Sequence, residues 1–248
     1  MENPGNRIIV ALDMGNLDSI KAILEKLQNE VSCFQIGLDI LSRIGGPKAV
    51  SVIRDYGEVF YDGKFNDIPD TIREASRGVS SLGVTMFSVH ASTGIEGMIA
   101  AREGNELGYC KTITPQKSYS KISQILAVTV LTSLDDADTN LIFGAPSEPK
   151  VLEFARWTKL AGLDGIICSP QELKIIGGHE ELSGLMKVTP GVRPDWAESG
   201  DQRRIMTPTE AIRAGADYLV IGRPITEPDN GMTPLDAVKR IKDEIAGA

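Results

Sequence analysis

Short apolar runs rich in β-branched residues alternate with longer segments of helical period along this chain, and that alternation constrains its fold more than any other feature. The apolar runs fall at residues 8–12, 33–36, 59–61, 86–89, 125–130, 165–168, 187–188 and 218–221. Between them lie segments that read as helices, among them 17–28, 70–82, 149–160, 208–214 and 234–245. A strand, a helical crossover and another strand place the two strands parallel, since antiparallel neighbours need only a tight turn. Eight such units in 248 residues match a closed (β/α)8 barrel, which typically takes about 250 residues. An open doubly wound sheet is the competing arrangement, but no GxGxxG turn follows any of the runs. The expectation is therefore an α/β chain folded as one (β/α)8 domain over residues 1–248. Thr207 before Pro208 and Thr233 before Pro234 read as N-caps followed by proline at the first helical position. The stretch 108–123, GYCKTITPQKSYSKIS, is polar without a clear period and is expected to be a surface connection before the fifth strand.

Composition excludes several function classes. A formal net charge of -8 with no basic stripe disfavours nucleic-acid binding, which depends on Lys and Arg displacing counterions from phosphates. The N-terminus, MENPGNRIIVALDMG, lacks a positive region followed by an apolar stretch, and no 18-residue apolar run occurs. No membrane contact is expected, and a cytoplasmic location is. The three cysteines, Cys33, Cys110 and Cys168, have no CxxC spacing and read as reduced thiols, two of them on strands. No metal-ligand cluster or cofactor fingerprint is apparent, so neither a metal nor a cofactor is expected.

In such a barrel the polar residues at the C-terminal ends of the strands face the reaction site. They are concentrated here at Asp13, at Asp62-Gly63-Lys64-Phe65-Asn66-Asp67, at His90, at Thr132 and Ser133, at Thr189-Pro190-Gly191-Val192-Arg193, and at Gly222-Arg223. In the DxKxxD segment, Asp62 and Lys64 stand two apart, which on an extended chain points them to the same side. A lysine flanked by two carboxylates should stay an ammonium and so be a positioned proton donor. A solvated surface ion pair would account for a bare DxKxxD equally well, and what favours chemistry is its strand-end placement beside a phosphate site. That site is read from GADYLVIGRPI, where a strand runs into Gly222 and Arg223 at the position barrels often use for phosphate. Glycine lets backbone N–H groups approach the oxygens, and arginine supplies a fork of donors. Arg193 and Gln202, in the loop after the seventh strand, stand ready to close its other side. Taken alone the GRP triplet is equally a structural arginine at a helix start. His90, one of two histidines, reads as a structural histidine rather than a general base, and Phe60, Met86 and Phe87 as barrel filling.

Together these segments resemble orotidine 5'-phosphate decarboxylases of the bacterial type. The matching pieces are ALDM with Asp13, DGKFNDIPDT at 62–71, LTSL at 131–134, TPGVRP at 189–194 and GDQRRIMTPTEAIRAGADYLVIGRPIT at 200–226. The resemblance implies decarboxylation of orotidine 5'-monophosphate (OMP) to UMP in pyrimidine biosynthesis without a cofactor. It implies that Lys64 protonates C6 of the pyrimidine as carbon dioxide leaves, with Asp62 near the departing carboxylate. It further implies a homodimer in which Asp67 and Thr71 reach the partner's active site. Asp13 would then bind ribose hydroxyls, Thr132 the pyrimidine edge, and Arg193, Gln202, Gly222 and Arg223 the phosphate. At one point the chain departs from its relatives: they usually carry a lysine at the end of the second strand, in a pattern like VKxG, where CFQIGLD has Gln35. Glutamine still donates hydrogen bonds to a sugar hydroxyl or a carboxylate, but it neutralises no charge. Binding should therefore survive better than rate. Two other readings remain open: a Mg2+-dependent sugar-phosphate lyase of the same superfamily, whose members tend to carry an acidic residue at that position, and a nucleotide-phosphate binder that has lost the reaction. DIPDT, TPGVRP and GDQ argue against the first, and retention of Asp62, Lys64 and Asp67 against the second.

Overall fold

In a computed structural model, which describes residues 4–112, 121–197, 206–229 and 231–248, eight parallel strands close into a barrel in chain order. The strands are β1 (Ile8–Leu12), β2 (Cys33–Ile36), β3 (Glu58–Phe65), β4 (Met86–His90), β5 (Gln124–Val128), β6 (Gly165–Ile167), β7 (Met186–Thr189) and β8 (Tyr218–Ile221). β1 pairs with β8 through Ile8 and Leu219, Ile9 and Val220, and Val10 and Ile221, which closes the ring. The helices outside it are α1 (Leu17–Leu27), α2 (Leu38–Arg43), α3 (Gly46–Ile53), α4 (Pro69–Ser80), α5 (Gly94–Thr112), α6 (Asp136–Phe143), α7 (Ser147–Ala161), α8 (Leu173–Gly177), α9 (Pro208–Arg213), α10 (Arg223–Thr226) and α11 (Pro234–Ala246). Thr207 and Thr233 cap α9 and α11 as expected. Each hydroxyl accepts the N–H of the residue three along, and Glu210 and Asp236 accept the cap N–H in return.

Successive side chains of a strand point to opposite faces, so each strand feeds two cores. Inside the barrel, Ile9, Cys33, Phe60, Met86, Leu126, Val128, Ile167, Val188 and Val220 pack together. Between barrel and helices lies the larger core, which includes Val10, Phe34, Val59, Phe87 and Val89. Phe60 and Met86 fill the barrel as expected, whereas Phe87 belongs to the outer layer, one residue out of phase with Met86.

Four expectations need correction. β3 runs on through Phe65, past the expected end at Tyr61, whereas β5 and β6 stop at Val128 and Ile167, before the expected ends at Val130 and Cys168. The connection expected at 108–123 starts inside α5, which continues to Thr112, while residues 113–120 lie outside the described set. The helical period is masked there because α5 meets α4 through small residues. A Cβ on Gly104 would lie 2.1 Å from the carbonyl oxygen of Arg73, and one on Gly108 2.5 Å from that of Arg77. At the far end of the stretch Ser123 is buried, donating its hydroxyl to the carbonyl of Val84 at 2.7 Å. No helix among the described residues is long and apolar enough to cross a membrane.

Candidate active site

The inward-facing rows that fill the barrel also build its mouth. Following each row by steps of two, Ile9 leads through Ala11 to Asp13, Cys33 leads to Gln35, Phe60 to Asp62, and Met86 to Ser88. The interior therefore changes from apolar to polar one layer below the C-terminal rim. Above that layer opens a cavity of about 550 Å3, lined by Asp13, Gln35, Asp62, Lys64, Thr132, Arg193, Gly222 and Arg223 along with apolar neighbours such as Leu38 and Val130. That volume falls in the range of small-molecule sites.

Asp62 sits at the centre of the polar layer, 3% exposed, with three donors on its two oxygens. Gln35 Nε2 donates to Oδ2 at 2.5 Å, the Lys64 ammonium pairs with the same oxygen, and the Ser88 hydroxyl donates to Oδ1 at 2.6 Å. The Asp62–Lys64 pair is thus a directed contact rather than a solvated surface pair, but an extended backbone does not make it. Lys64 has φ of 49°, in the left-handed region. A non-glycine residue there costs about 1 to 2 kcal/mol. Gly63, between the two, has room for no side chain, because a Cβ would lie 2.8 Å from ring atoms of both Tyr61 and Phe65.

Asp13 lies beside the β8 turn, where a Cβ on Gly222 would come within 3.2 Å of its carboxylate. Burial raises its pKa above the ordinary aspartate value, and the Arg223 guanidinium opposes the rise. Arg193 is 9% exposed, and Arg223 opens to solvent at the first position of α10. His90, at the end of β4, is not part of the cavity lining, and burial first and the Lys64 charge second hold its pKa below the usual imidazole value. Both effects favour the neutral imidazole. Burial pushes the thiols of Cys33 and Cys168 far up, so neither is a nucleophile at neutral pH.

Not every expected residue converges here. Asp67 and Thr71 are exposed and lie outside the cavity. The Asp67 carboxylate accepts the N–H of Ile68 at 2.7 Å, and its carbonyl accepts the Thr93 hydroxyl at 2.9 Å, so among the described residues Lys64 pairs with Asp62 and not, as expected, with Asp67 as well. Ser133, next to Thr132, does not line the cavity either. Gln202 lies outside the described residues. Ser88 was not among the expected residues; its signal was a polar residue in the middle of the strand MFSVH, two along from Met86 and so on the inward face. Among the described residues, no group of three or more His, Cys, Asp or Glu is placed to hold a metal ion.

Known proteins match this chain over nearly its whole length. Residues 6–240 match the model of the orotidine 5'-phosphate decarboxylase / HUMPS family. An orotidine 5'-phosphate decarboxylase from Nostoc sp. is 40% identical over 247 residues, covering 97% of each chain. One from Trichlorobacter lovleyi is 40% identical over 243 residues, covering 97% of this chain and 95% of the other. Among solved structures, an orotidine 5'-phosphate decarboxylase from Lactobacillus acidophilus superposes with a TM-score of 0.78 at 31% identity, covering 96% of this chain and 98% of that one.

Proposed function

The chain belongs to the orotidine 5'-phosphate decarboxylase / HUMPS family, and from that membership we propose that it converts orotidine 5'-monophosphate to UMP, the decarboxylation that completes a pyrimidine nucleotide. The observation that carries this reading is that Asp62 and Lys64 share one cavity with Gly222 and Arg223. A reacting centre on β3 and a phosphate grip at the end of β8 thus share one mouth. In this reading the nucleotide phosphate lies against Gly222, Arg223 and Arg193, and Gln202, outside the described residues, is a phosphate ligand by the family resemblance alone. Ribose hydroxyls meet Asp13 and Gln35, and the pyrimidine edge meets Thr132. The C6 carboxylate is then delivered next to the Asp62 carboxylate, which its three donors hold in place. Repulsion between the two carboxylates is relieved as the bond from C6 breaks and carbon dioxide departs. The electron pair stays on C6, the Lys64 ammonium delivers a proton there to complete UMP, and solvent reprotonates the amine. Binding energy from the remote phosphate offsets the strain at the reacting carbon, so the step calls for neither a metal nor an organic cofactor.

Asp67 and Thr71 find a place in this scheme on a homodimer, where each protomer lends them to its partner's site. Their exposure, and that of Ile68 between them at 66%, support this reading. The test uses one preparation: OMP turnover to UMP in EDTA, with the oligomeric state measured at the assay concentration. UMP formation that persists in EDTA and comes from a dimer is expected. Nucleotide binding without turnover would leave a binder in place of an enzyme, and a fully active monomer would remove the exchange of Asp67 and Thr71.

Gln35 gives a second test of the same reading. It meets Asp62 with a neutral amide, where related chains usually place a lysine. Gln35→Lys should raise kcat/KM several-fold, since about 1 kcal/mol from an added ion pair corresponds to roughly fivefold in rate. The gain should appear in kcat/KM rather than in kcat alone, because the same group contacts ribose in ground and transition states alike. An unchanged or lower kcat/KM would mean that the polar layer has been rebuilt around Gln35.

A further inference from the structure

The register of β3 against β4 breaks at the residues on which the proposed chemistry depends. Tyr61 pairs with Phe87, and the next paired residues are Phe65 and Val89. β3 therefore advances four residues while β4 advances two, and Ser88 alone stands opposite Asp62, Gly63 and Lys64. A bulge of this kind leaves backbone groups without ladder partners and needs a substitute for them. Ser88 supplies it. Its hydroxyl oxygen accepts the Lys64 backbone N–H at 2.9 Å, and its proton goes to Asp62 Oδ1 at 2.6 Å. A serine has one hydroxyl proton to give, and that proton is spent on the carboxylate.

Both contacts act on the reacting pair. The first ties down the backbone of Lys64 in its left-handed conformation. The second holds Oδ1 to the barrel wall, which fixes the rotation of the carboxylate and leaves Oδ2 to Lys64 and Gln35. Ser88 is 0% exposed and is not part of the cavity lining, so it has no contact with a ligand there. We propose that Ser88 is a positioning residue for the decarboxylation, setting the orientation of Asp62 and the backbone of Lys64 with a single buried hydroxyl. This rests on the reading of Asp62 and Lys64 given above.

An ordinary buried serine would affect stability and leave the ratio of rate to affinity alone, and Ser88→Ala in the full chain separates the two cases. Misplacing a reacting group by a fraction of an ångström to one ångström costs up to about 100-fold, so kcat for OMP should fall about 10- to 100-fold. UMP has no carboxylate for Asp62 to repel, and its Kd should stay within about twofold, because Ser88 does not reach the nucleotide. Added to Lys64→Ala, the same change should alter the residual rate by less than about twofold, since residues acting as one unit are not additive. Should Ser88→Ala not fold, Ser88→Cys keeps the size, weakens both hydrogen bonds and reads the same way. A kcat near that of the unaltered chain overturns the proposal. So does a loss that appears equally in UMP affinity and recurs in the Lys64→Ala background. An unaltered chain that fails to turn over OMP would instead remove the function, and that is measured in the same assay.

Discussion

Lys64→Ala is expected to lower kcat for OMP by about 10³-fold or more while the barrel stays folded and UMP still binds. Proton donation by a positioned side chain typically contributes about 10²- to 10⁴-fold, and the ammonium also compensates charge beside Asp62. The side chain is 30% exposed and forms no part of either hydrophobic core, so its removal leaves the packing intact. Circular dichroism and UMP titration report the fold and the binding, and release of carbon dioxide reports the chemistry. Undiminished release from a folded, UMP-binding variant would take away the role assigned to Lys64.

Arg223→Ala should weaken UMP about 10- to 100-fold and leave uridine nearly unchanged. A charge-assisted contact to phosphate is worth about 1.5 to 3 kcal/mol, and each 1.4 kcal/mol is a factor of ten. Because Arg223 is exposed, the difference between the two ligands should shrink as salt rises and the screening length falls below about 8 Å. Arg193, buried in the loop after the neighbouring strand β7, should show less salt dependence on truncation. Calorimetric titration with both ligands at two ionic strengths decides it. Equal losses for UMP and uridine would make Arg223 a structural residue at the start of α10.

What could be read from residue order alone is what has a local cause. Alternating periods of two and about 3.6 are written into the order of apolar residues, so the strands at Ile8–Leu12, Cys33–Ile36 and Tyr218–Ile221 were legible to the residue. The caps at Thr207 and Thr233 depend on contacts three residues apart and were equally plain. Asp13, Asp62, Thr132, Arg193, Gly222 and Arg223 were legible as the lining of one cavity because a closed barrel turns the C-terminal end of every strand to one rim, whereas Gln35, in the same lining, was reached only through the family resemblance.

Features that depend on what lies across a strand or helix were not legible. Gly104 and Gly108 look like helix breakers until α4 is found close against them. Phe87 and Met86 are alike in sequence, and only the direction of the barrel wall assigns one to the outer core and the other to the inner. The sequence by itself determined the eight-unit barrel and part of the polar set that gathers at its mouth, because both follow from periodicity and strand direction. Only the tertiary structure decided how Asp62 and Lys64 meet. Their geometry comes from a register break between β3 and β4 filled by Ser88, and register is a relation between two strands that neither strand carries in its own order of residues.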